Sequence, residues 1–379
     1  MLMKRSSAAR ESFALSLISA AMIAVFAFLS VSGFTPAVKG AAYLSAGLAV
    51  PASGREMIKA AVYKNKNIIP DFSVNESPAV NGSVTVDGEQ TENTPADISE
   101  MVMSFRQIYA NSAHDGAIVE KQYNSENATD VFGNICVRNT TPSHSVNIEA
   151  SLGTDTGLRI EDASKPTVLI YHTHTTESYE MLDEGWFTND YSTRSQDPAR
   201  NMVRVGDAIC EELEKSGIGV IHDREIHDLR YTGAYDRSRE TLVPILESNP
   251  TVLITVDVHR DAIHQNDSTR IKPTALVNGK KAAQVMIIAG CEDGKVSSFP
   301  NWETNLAFDL QFQQTAENLF PGLMRPVLFS ARKYNMDLTP YSALFEFGSD
   351  SNTLEEAEYS GHLIGQALAE FIKEHTQNG

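Results

Sequence analysis

Histidines and carboxylates occur together at three places in the sequence, each at the end of a short apolar run. They are His-Thr-His-Thr-Thr-Glu at 172–177, Asp-Val-His-Arg-Asp at 257–261 and Glu-Phe-Gly-Ser-Asp-Ser-Asn at 346–352. Two imidazoles and one carboxylate are a common ligand set of catalytic zinc, which keeps its fourth position for water. The motifs supply these groups and one further carboxylate, so the sequence predicts a hydrolytic zinc centre.

His172, His174 and His259 are the candidate imidazole ligands. A bound Zn²⁺ lowers the pKa of water to about 7, and a free carboxylate then accepts the water's proton and passes it to the departing amine. Glu346 is the candidate for that acid–base role. His172 and His174 share a face if the preceding strand continues through both. The residues leave open whether both bind the metal or one orients the other.

The apolar pattern supplies a scaffold that brings these motifs together. Apolar runs predict buried strands, and one-sided apolar spacing predicts helices. The predicted strands are 168–171, 219–221, 252–256, 284–290 and 343–347, and the predicted helices are 201–216, 236–247, 302–319 and 354–373. Their alternation indicates an α/β fold with a mostly parallel twisted sheet flanked by helices. Ligand sites of such sheets lie at the carboxyl ends of the strands, where all three motifs fall.

Other catalytic arrangements find less support in the sequence. Ser178 or Ser349 could act as a nucleophile with a histidine, but no Gly-x-Ser-x-Gly elbow is present. The cysteines are too far apart for a thiolate zinc pair and are predicted to be buried thiols: Cys136, Cys210 and Cys291. Three further histidines are alternative ligands: His222, His227 and His264.

The N-terminus carries a membrane signal. An uncharged, largely apolar stretch at about 12–34 follows three basic residues, Lys4, Arg5 and Arg10. About 20 such residues span a bilayer as a helix, and the positive side stays in the cytoplasm. The sequence therefore predicts a transmembrane anchor at 1–34 with the remainder outside the cytoplasm. A cleaved signal peptide ending at the small residues of 30–33 is the alternative, and it would export the same residues.

The rest of the chain divides by composition. Residues 35–100 are rich in Ser, Pro, Gly, Asn and acidic residues and are predicted to be a flexible spacer. Residues 101–165 are predicted to be an accessory segment, and residues 166–376 the main domain. The net charge of −18 argues against a nucleic-acid partner, and the absence of Gly-rich phosphate motifs argues against nucleotide binding.

Four motifs together resemble one protein family. They lie at 172–179, 201–206, 257–261 and 346–357. From about Val131 to the C-terminus the chain resembles stage II sporulation protein P, a family of peptidoglycan hydrolases in endospore-forming bacteria. The same region looks like a divergent relative of the zinc-dependent N-acetylmuramoyl-L-alanine amidases, which implies an amidase-like fold.

The resemblance implies an activity and a location. A member would cleave the amide between N-acetylmuramic acid and L-alanine, and also peptide cross-links, during engulfment in sporulation. It would work at the mother-cell membrane, in the space between mother cell and forespore. Its implied partners are peptidoglycan and stage II sporulation proteins D and M.

The resemblance also implies roles for single residues. The first zinc ligand is His172 or His174, the second is His259, and the catalytic glutamate is Glu346. Glu177 is the carboxylate ligand, with three rivals nearby: Glu180, Glu184 and Asp197.

Arginines near the motifs add further hypotheses. Arg260 would stabilise a developing oxyanion or bind a muropeptide carboxylate, unless it forms a structural salt bridge with Asp257 or Asp261. Arg332 and Asn335 are candidates for contact with the peptide stem.

Two other function classes would use the same residues. A non-catalytic module of a membrane complex would hold peptidoglycan at this sheet edge. A zinc peptidase of the carboxypeptidase type shares the ligand chemistry. Metal content and the masses of released fragments distinguish the three hypotheses.

Overall fold

The computed structural model describes residues 96–376, which belong to one compact unit. The predicted anchor at 1–34 and nearly all of the predicted spacer at 35–100 lie outside the described residues. Within the described range, no helix combines the length and the apolar character that a membrane crossing requires.

The helices and strands of the described range alternate along most of its length. The helices are α1 (Ala96–Tyr109), α2 (Ile148–Leu152), α3 (Met202–Lys215), α4 (Ala234–Ser248), α5 (Trp302–Leu319) and α6 (Leu354–Glu374). The strands are β1 (Gly116–Lys121), β2 (Asp130–Phe132), β3 (Ile135–Asn139), β4 (Pro166–Tyr171), β5 (Trp186–Phe187), β6 (Gly219–His222), β7 (Ile254–Asp261), β8 (His264–Asn266), β9 (Thr269–Val277), β10 (Lys280–Ala283), β11 (Val285–Gly290), β12 (Val327–Ser330) and β13 (Tyr341–Ser349).

Eight strands form the main sheet, in the order β2-β3-β12-β11-β13-β7-β4-β6. The pairs β3–β12, β12–β11, β13–β7, β7–β4 and β4–β6 are parallel. The pairs β2–β3 and β11–β13 are antiparallel. The expected mostly parallel sheet with flanking helices is confirmed, and β4, β7 and β13, which lead to the three motifs, are neighbours.

A smaller second sheet was not predicted. It has the order β10-β9-β1-β5, with β8 paired to β9. β1 comes from the predicted accessory segment and pairs in parallel with β9, while β3 of the same segment pairs with β12. The segment 101–165 therefore contributes strands to both sheets. In the second sheet, strands β1 and β8 are largely exposed and lack the long apolar runs that mark the strands of the main sheet.

The main sheet is covered on both faces. In β4, Val168 and Ile170 lie in the large core that includes α3, α5 and α6. Leu169 and Tyr171 point the other way, into a smaller core with Leu242 of α4. A strand buried on both faces is what a parallel sheet between helices requires. A side chain that follows β4 therefore contacts α3 if it points to one face of the sheet and α4 if it points to the other.

The cysteine prediction holds only in part. All cysteines of the described range are free thiols. Cys210 and Cys291 are buried as expected, but Cys136 is half-buried. The prediction of a buried Cys136 was wrong because β3 lies next to the edge strand β2, where cover is incomplete.

Candidate functional site

The second and third motifs lie side by side in the main sheet. Glu346 of β13 and His259 of β7 are direct partners in the parallel pairing. Adjacent strands are about 4.8 Å apart, and side chains of paired residues point to the same face. Tyr171 of β4 pairs with Asp257 in the same way. Because Tyr171 faces α4, His259 and Glu346 also lie on the α4 face.

The first motif enters the site through a turn. β4 ends at Tyr171, and residues 173–176 form a turn. The strand therefore does not continue, and the two histidines do not share a face. His172 keeps the alternation of β4 and points toward α3, while His174 is redirected toward His259.

Two buried aspartates hold this turn. Asp257 accepts hydrogen bonds from the backbone nitrogen of Thr173 at 2.9 Å and from its hydroxyl at 2.7 Å. Asp228 accepts from the backbone nitrogen of Thr176 at 3.0 Å and from its hydroxyl at 2.6 Å. Arg194 donates to Asp228 at 2.9 Å. The two carboxylates thus fix the path that brings His174 into the site.

Four predicted site residues come together on the α4 face. The ring centroids of His174 and His259 are 5.3 Å apart. Nδ1 of His259 lies 3.4 Å from Oε2 of Glu177, and its Nε2 lies 2.8 Å from Oδ1 of Asp257. Nδ1 of His174, Nε2 of His259 and Oε2 of Glu346 are buried and make no hydrogen bond in the described chain, and Nδ1 of His174 lies 3.9 Å from Oδ2 of Asp228. The cluster therefore contains both satisfied ion pairs and unsatisfied polar atoms.

The charges in the cluster are strongly coupled. Burial alone lowers the pKa of His259, but the Asp257 and Glu177 carboxylates raise it well above its usual range. Burial alone raises the pKa of Glu177, yet the contact with His259 and the charge of Arg260 lower it to about 2. Burial raises the pKa of Glu346 to about 8. At neutral pH the chain alone therefore holds an imidazolium at His259, a carboxylate at Glu177 and a proton on Glu346.

The donor types of this cluster suit zinc. His174 and His259 offer imidazoles and Glu177 a carboxylate, which is a common catalytic set, and Nδ1 of His174 is a buried nitrogen that makes no hydrogen bond. Within the described residues, no three His, Cys, Asp or Glu side chains form a ready metal cluster. Both ring nitrogens of His259 face carboxylates instead. A metal ion would have to replace the contact between His259 and Glu177.

His172 makes a separate contact on the α3 side. Its Nδ1 lies 3.1 Å from the carbonyl oxygen of Val258, and its Nε2 lies 2.8 Å from Nε2 of His222. Because a carbonyl oxygen only accepts, His172 carries its hydrogen on Nδ1, and its Nε2 accepts from His222. Burial lowers the pKa of His172 well below its usual range, in keeping with a neutral ring. Both nitrogens of His172 are thus engaged within the protein.

Gly206 of α3 leaves room for this imidazole pair. A Cβ at this position would lie 2.5 Å from Nε2 of His222 and 2.8 Å from Cε1 of His172. Both distances are far below van der Waals contact, and both rings are held by hydrogen bonds. The motif at 201–206 therefore ends in glycine for a packing reason.

The substitution Gly206→Ala is expected to destabilise the protein by roughly 1–3 kcal/mol, because overpacking against two held rings outweighs the helix preference of alanine. Urea unfolding measures the loss. In a His222→Ala background one of the two close contacts is removed, so the loss should shrink. A Gly206→Ala protein as stable as the wild type would contradict this account of the motif.

Arg260 stabilises the chain segment around Glu177 through hydrogen bonds. Its guanidinium donates to the carbonyl oxygens of Ser178 at 2.8 Å, Thr193 at 2.7 Å and Asp261 at 3.2 Å. Its backbone nitrogen donates to Oε2 of Glu177 at 3.3 Å. The salt bridges considered for it with the neighbouring aspartates do not form between the described side chains. In this arrangement Arg260 positions the Glu177 segment and does not point into the cluster.

The carboxylates that rival Glu177 lie elsewhere. Glu180 is buried but turns toward α1, where it accepts a hydrogen bond from the Tyr109 hydroxyl and lies 3.5 Å from Arg270. The other two rivals are exposed: Glu184 and Asp197. Glu177 alone among these four contacts His259 in the described structure.

Glu180 predicts a pH dependence of stability. Burial raises its pKa from the ordinary 4.5 to about 7, although Tyr109 and Arg270 oppose this shift. The folded state therefore keeps a proton that the unfolded state has lost, and the wild type loses stability as the pH rises from 4.5 through 7. Glu180→Gln removes this titration.

The Glu180→Gln variant should gain stability relative to the wild type by about 2 kcal/mol between about pH 5 and pH 8. Urea unfolding of both proteins at the two pH values measures the change. Glu161→Gln, at an exposed position, should show no such gain. A constant difference between Glu180→Gln and the wild type at both pH values would refute the prediction.

The remaining candidates bond away from the cluster. The Ser178 hydroxyl donates to the carbonyl oxygen of Arg200, and the Ser349 hydroxyl to that of Ile271. The three histidines considered as alternative ligands each pair with an aspartate: His222 with Asp207, His227 with Asp223 and His264 with Asp350. Neither serine has the histidine partner that a nucleophile needs.

Several residues of the site were not found from the sequence. Tyr231 stacks on His174 with ring centroids 4.5 Å apart, although its side chain is 65% exposed. Tyr235 stacks between His259 and Tyr334. Asp228, Tyr231 and Tyr235 lie in the loop after β6 and the first turn of α4, where no apolar period or motif marks them. The only signal was that this loop leaves the same edge of the sheet.

A family model described as stage II sporulation protein P matches residues 73–369. The chain belongs to the stage II sporulation protein P family. The resemblance seen in the four motifs is thereby confirmed. Stage II sporulation protein P of Bacillus subtilis (strain 168) is 31% identical over 218 residues, which are 54% of this chain and 51% of that relative. This family member therefore matches about half of the relative's length.

Solved amidase structures are also similar to part of this family member. The N-acetylmuramoyl-L-alanine amidase AmiC2 of Nostoc punctiforme has a TM-score of 0.33 and 11% identity, over 56% of this chain and 99% of that chain. The CwlD amidase from Clostridioides difficile, in complex with the GerS lipoprotein, has a TM-score of 0.31 and 16% identity, over 55% of this chain and 98% of that chain.

Proposed function

We propose that this chain is a sporulation peptidoglycan hydrolase that cleaves the N-acetylmuramoyl-L-alanine amide, with cleavage of peptide cross-links as a second activity. Family membership supports the proposal. The observation that carries it is the meeting of His174, Glu177, His259 and Glu346 on one face of the sheet, where Nδ1 of His174 and Oε2 of Glu346 are buried and make no hydrogen bond. A buried polar atom without a hydrogen bond calls for an explanation, and a bound ligand or a reacting group is one.

His174, Glu177 and His259 are the residues that would hold zinc. The ion would supply Lewis acidity for the amide carbonyl and the attacking water. His174 is chosen over His172 because its Nδ1 makes no hydrogen bond and only approaches Oδ2 of Asp228 at 3.9 Å, whereas both nitrogens of His172 are hydrogen-bonded. Asp257 positions two of these three residues, because it contacts His259 and accepts a hydrogen bond from the turn that carries His174.

Glu346 moves the proton in this mechanism. Its Oε2 is buried and unpartnered beside His259, so it is free to bond a reacting group. The carboxylate accepts a proton from water, and the acid then donates that proton to the departing amine. In the metal-free chain burial raises the pKa of Glu346 to about 8, which keeps the donating form available at neutral pH. The charge of a bound ion would favour the carboxylate that accepts the first proton.

The location and partners are part of the same proposal. The basic residues and apolar stretch of 1–34 would anchor the chain in the mother-cell membrane. The hydrolase would then face the space between mother cell and forespore and work with stage II sporulation proteins D and M. The spacer at 35–100 would give it reach toward the wall.

Digestion of purified sacculi by the full chain tests the proposal. The expected products are stem peptides with an L-alanine N-terminus, identified by mass spectrometry, from protein that contains bound zinc. Stems shortened only at the C-terminus would point to a carboxypeptidase instead. Retention of the chain on sacculi without any released fragment would point to a non-catalytic binding module. Either result would overturn the amidase assignment.

A further inference from the structure

Two tyrosines and an arginine form a ladder that leads away from His259. The Tyr235 ring stacks 6.3 Å from the His259 ring, and the Tyr334 ring stacks 4.6 Å from Tyr235. The Arg332 guanidinium lies 5.8 Å from the centre of the Tyr334 ring and donates to its hydroxyl. The ladder thus joins the buried cluster to a cation at its rim.

The backbone around Arg332 is held in place. Its nitrogen donates to the carbonyl oxygen of Ser330 at 2.8 Å. Its carbonyl oxygen lies only 2.3 Å from where a Cβ of residue 290 would stand, so this approach requires Gly290. Tyr334 has a φ of 50°, a left-handed conformation that is uncommon for a bulky residue. Such conformations concentrate at binding sites, where the surrounding structure enforces them.

The charge of Arg332 lacks a carboxylate partner. Its side chain is exposed, and in the described part of the chain it forms no ion pair. Arg194 and Arg239, which also lie beside the site, both pair with aspartates. The hydrogen bond that Arg332 donates to Tyr334 raises the pKa of Arg332, so the guanidinium stays charged. In a chain of net charge −18, a cation held beside the site without a counter-ion is available for an anionic ligand.

We propose that Arg332, held by Tyr334, binds a free carboxylate of the peptide stem whose amide is cut. This inference rests on the proposed function. A planar guanidinium pairs with a carboxylate through two parallel hydrogen bonds, and the tyrosine ladder offers an apolar wall to the stem. Asn335, the other candidate for stem contact, cannot serve, because its buried Nδ2 donates to the Tyr235 carbonyl oxygen at 3.2 Å and to the Ser238 hydroxyl at 2.9 Å.

Binding measurements with the full-length Glu346→Gln chain test this role without hydrolysis. The probes are a disaccharide–peptide with free carboxylates and the same molecule with every carboxylate amidated. With Arg332 present, the free acid should bind about 10–100-fold more tightly, as a charge-assisted hydrogen bond provides. Arg332→Gln should remove this preference, and Tyr334→Phe, which keeps the ring stack, should weaken it.

A matched variant separates local from general charge effects. Arg138→Gln removes an exposed arginine on β3, three strands from β13, and should leave the preference unchanged. Equal binding of both probes before substitution, or an unchanged preference in Arg332→Gln, overturns the role of Arg332. Fragment release from sacculi by the wild type is scored separately, so a failed carboxylate preference is distinguishable from a failed amidase assignment.

Discussion

Replacement of Glu346 by glutamine is expected to lower the release of cell-wall fragments by about 10²–10⁴-fold, the usual contribution of a general acid–base group. Glutamine keeps the shape of the side chain but neither accepts nor donates the proton. The fold should survive, because Oε2 of Glu346 makes no hydrogen bond in the described chain. Dye release from labelled sacculi measures the activity, and zinc content should match that of the wild type.

A stability measurement gives the same substitution a second readout. Burial raises the pKa of Glu346 from the ordinary 4.5 to about 8, so the metal-free wild type should lose stability relative to Glu346→Gln as the pH rises from 4.5 to about 8, with no further loss above that range. Glu184→Gln, at an exposed position near the first motif, is the control and should change neither readout. Wild-type fragment release by Glu346→Gln would remove Glu346 from the mechanism.

Replacement of His174 by alanine is expected to abolish zinc retention and lower activity by at least about 10³-fold, because the zinc would lose one of its three protein ligands. The fold should lose only about 1 kcal/mol, since Nδ1 of His174 makes no hydrogen bond and the ring stacks on an exposed tyrosine. Metal analysis after dialysis and urea unfolding report the two effects separately.

The His172→Ala variant should behave in the opposite way. It leaves the Val258 carbonyl and Nε2 of His222 without their partner in a buried place, so a loss of roughly 2–4 kcal/mol is expected. The folded fraction should still retain zinc. Loss of zinc from folded His172→Ala, together with retention by His174→Ala, would reverse the assignment of the two histidines.

The convergence of the three motifs was predictable from the sequence for a simple reason. Each motif follows or ends an apolar run, and the carboxyl ends of parallel strands share one edge of a sheet. The pairing of Glu346 with His259 is the outcome that this rule anticipates. The helices α3, α5 and α6 were also predicted to within about two residues, because their apolar faces and the residues that end them are local signals.

The second sheet shows where such reasoning stops. Its strands pair residues that are distant along the chain, such as Val119 with Ile271, and several of its side chains are exposed. Neither periodicity nor an apolar run marks such strands. The three-dimensional partner, and not the local sequence, determines that they are strands.

The sequence by itself determined the family, the α/β class and the residue types of the site, because apolar spacing and motifs depend only on residues that are close together in the chain. Only the tertiary structure decided which histidine of the first motif faces His259. That choice depends on where β4 ends and on two aspartates that hold the turn after it. The same holds for two arginines. Arg260 is surrounded by carbonyl oxygens to which it donates, whereas Arg332 lies at the open rim of the site beside Tyr334. A side chain's chemistry is fixed by its type, but its partners are fixed by contacts between distant parts of the chain.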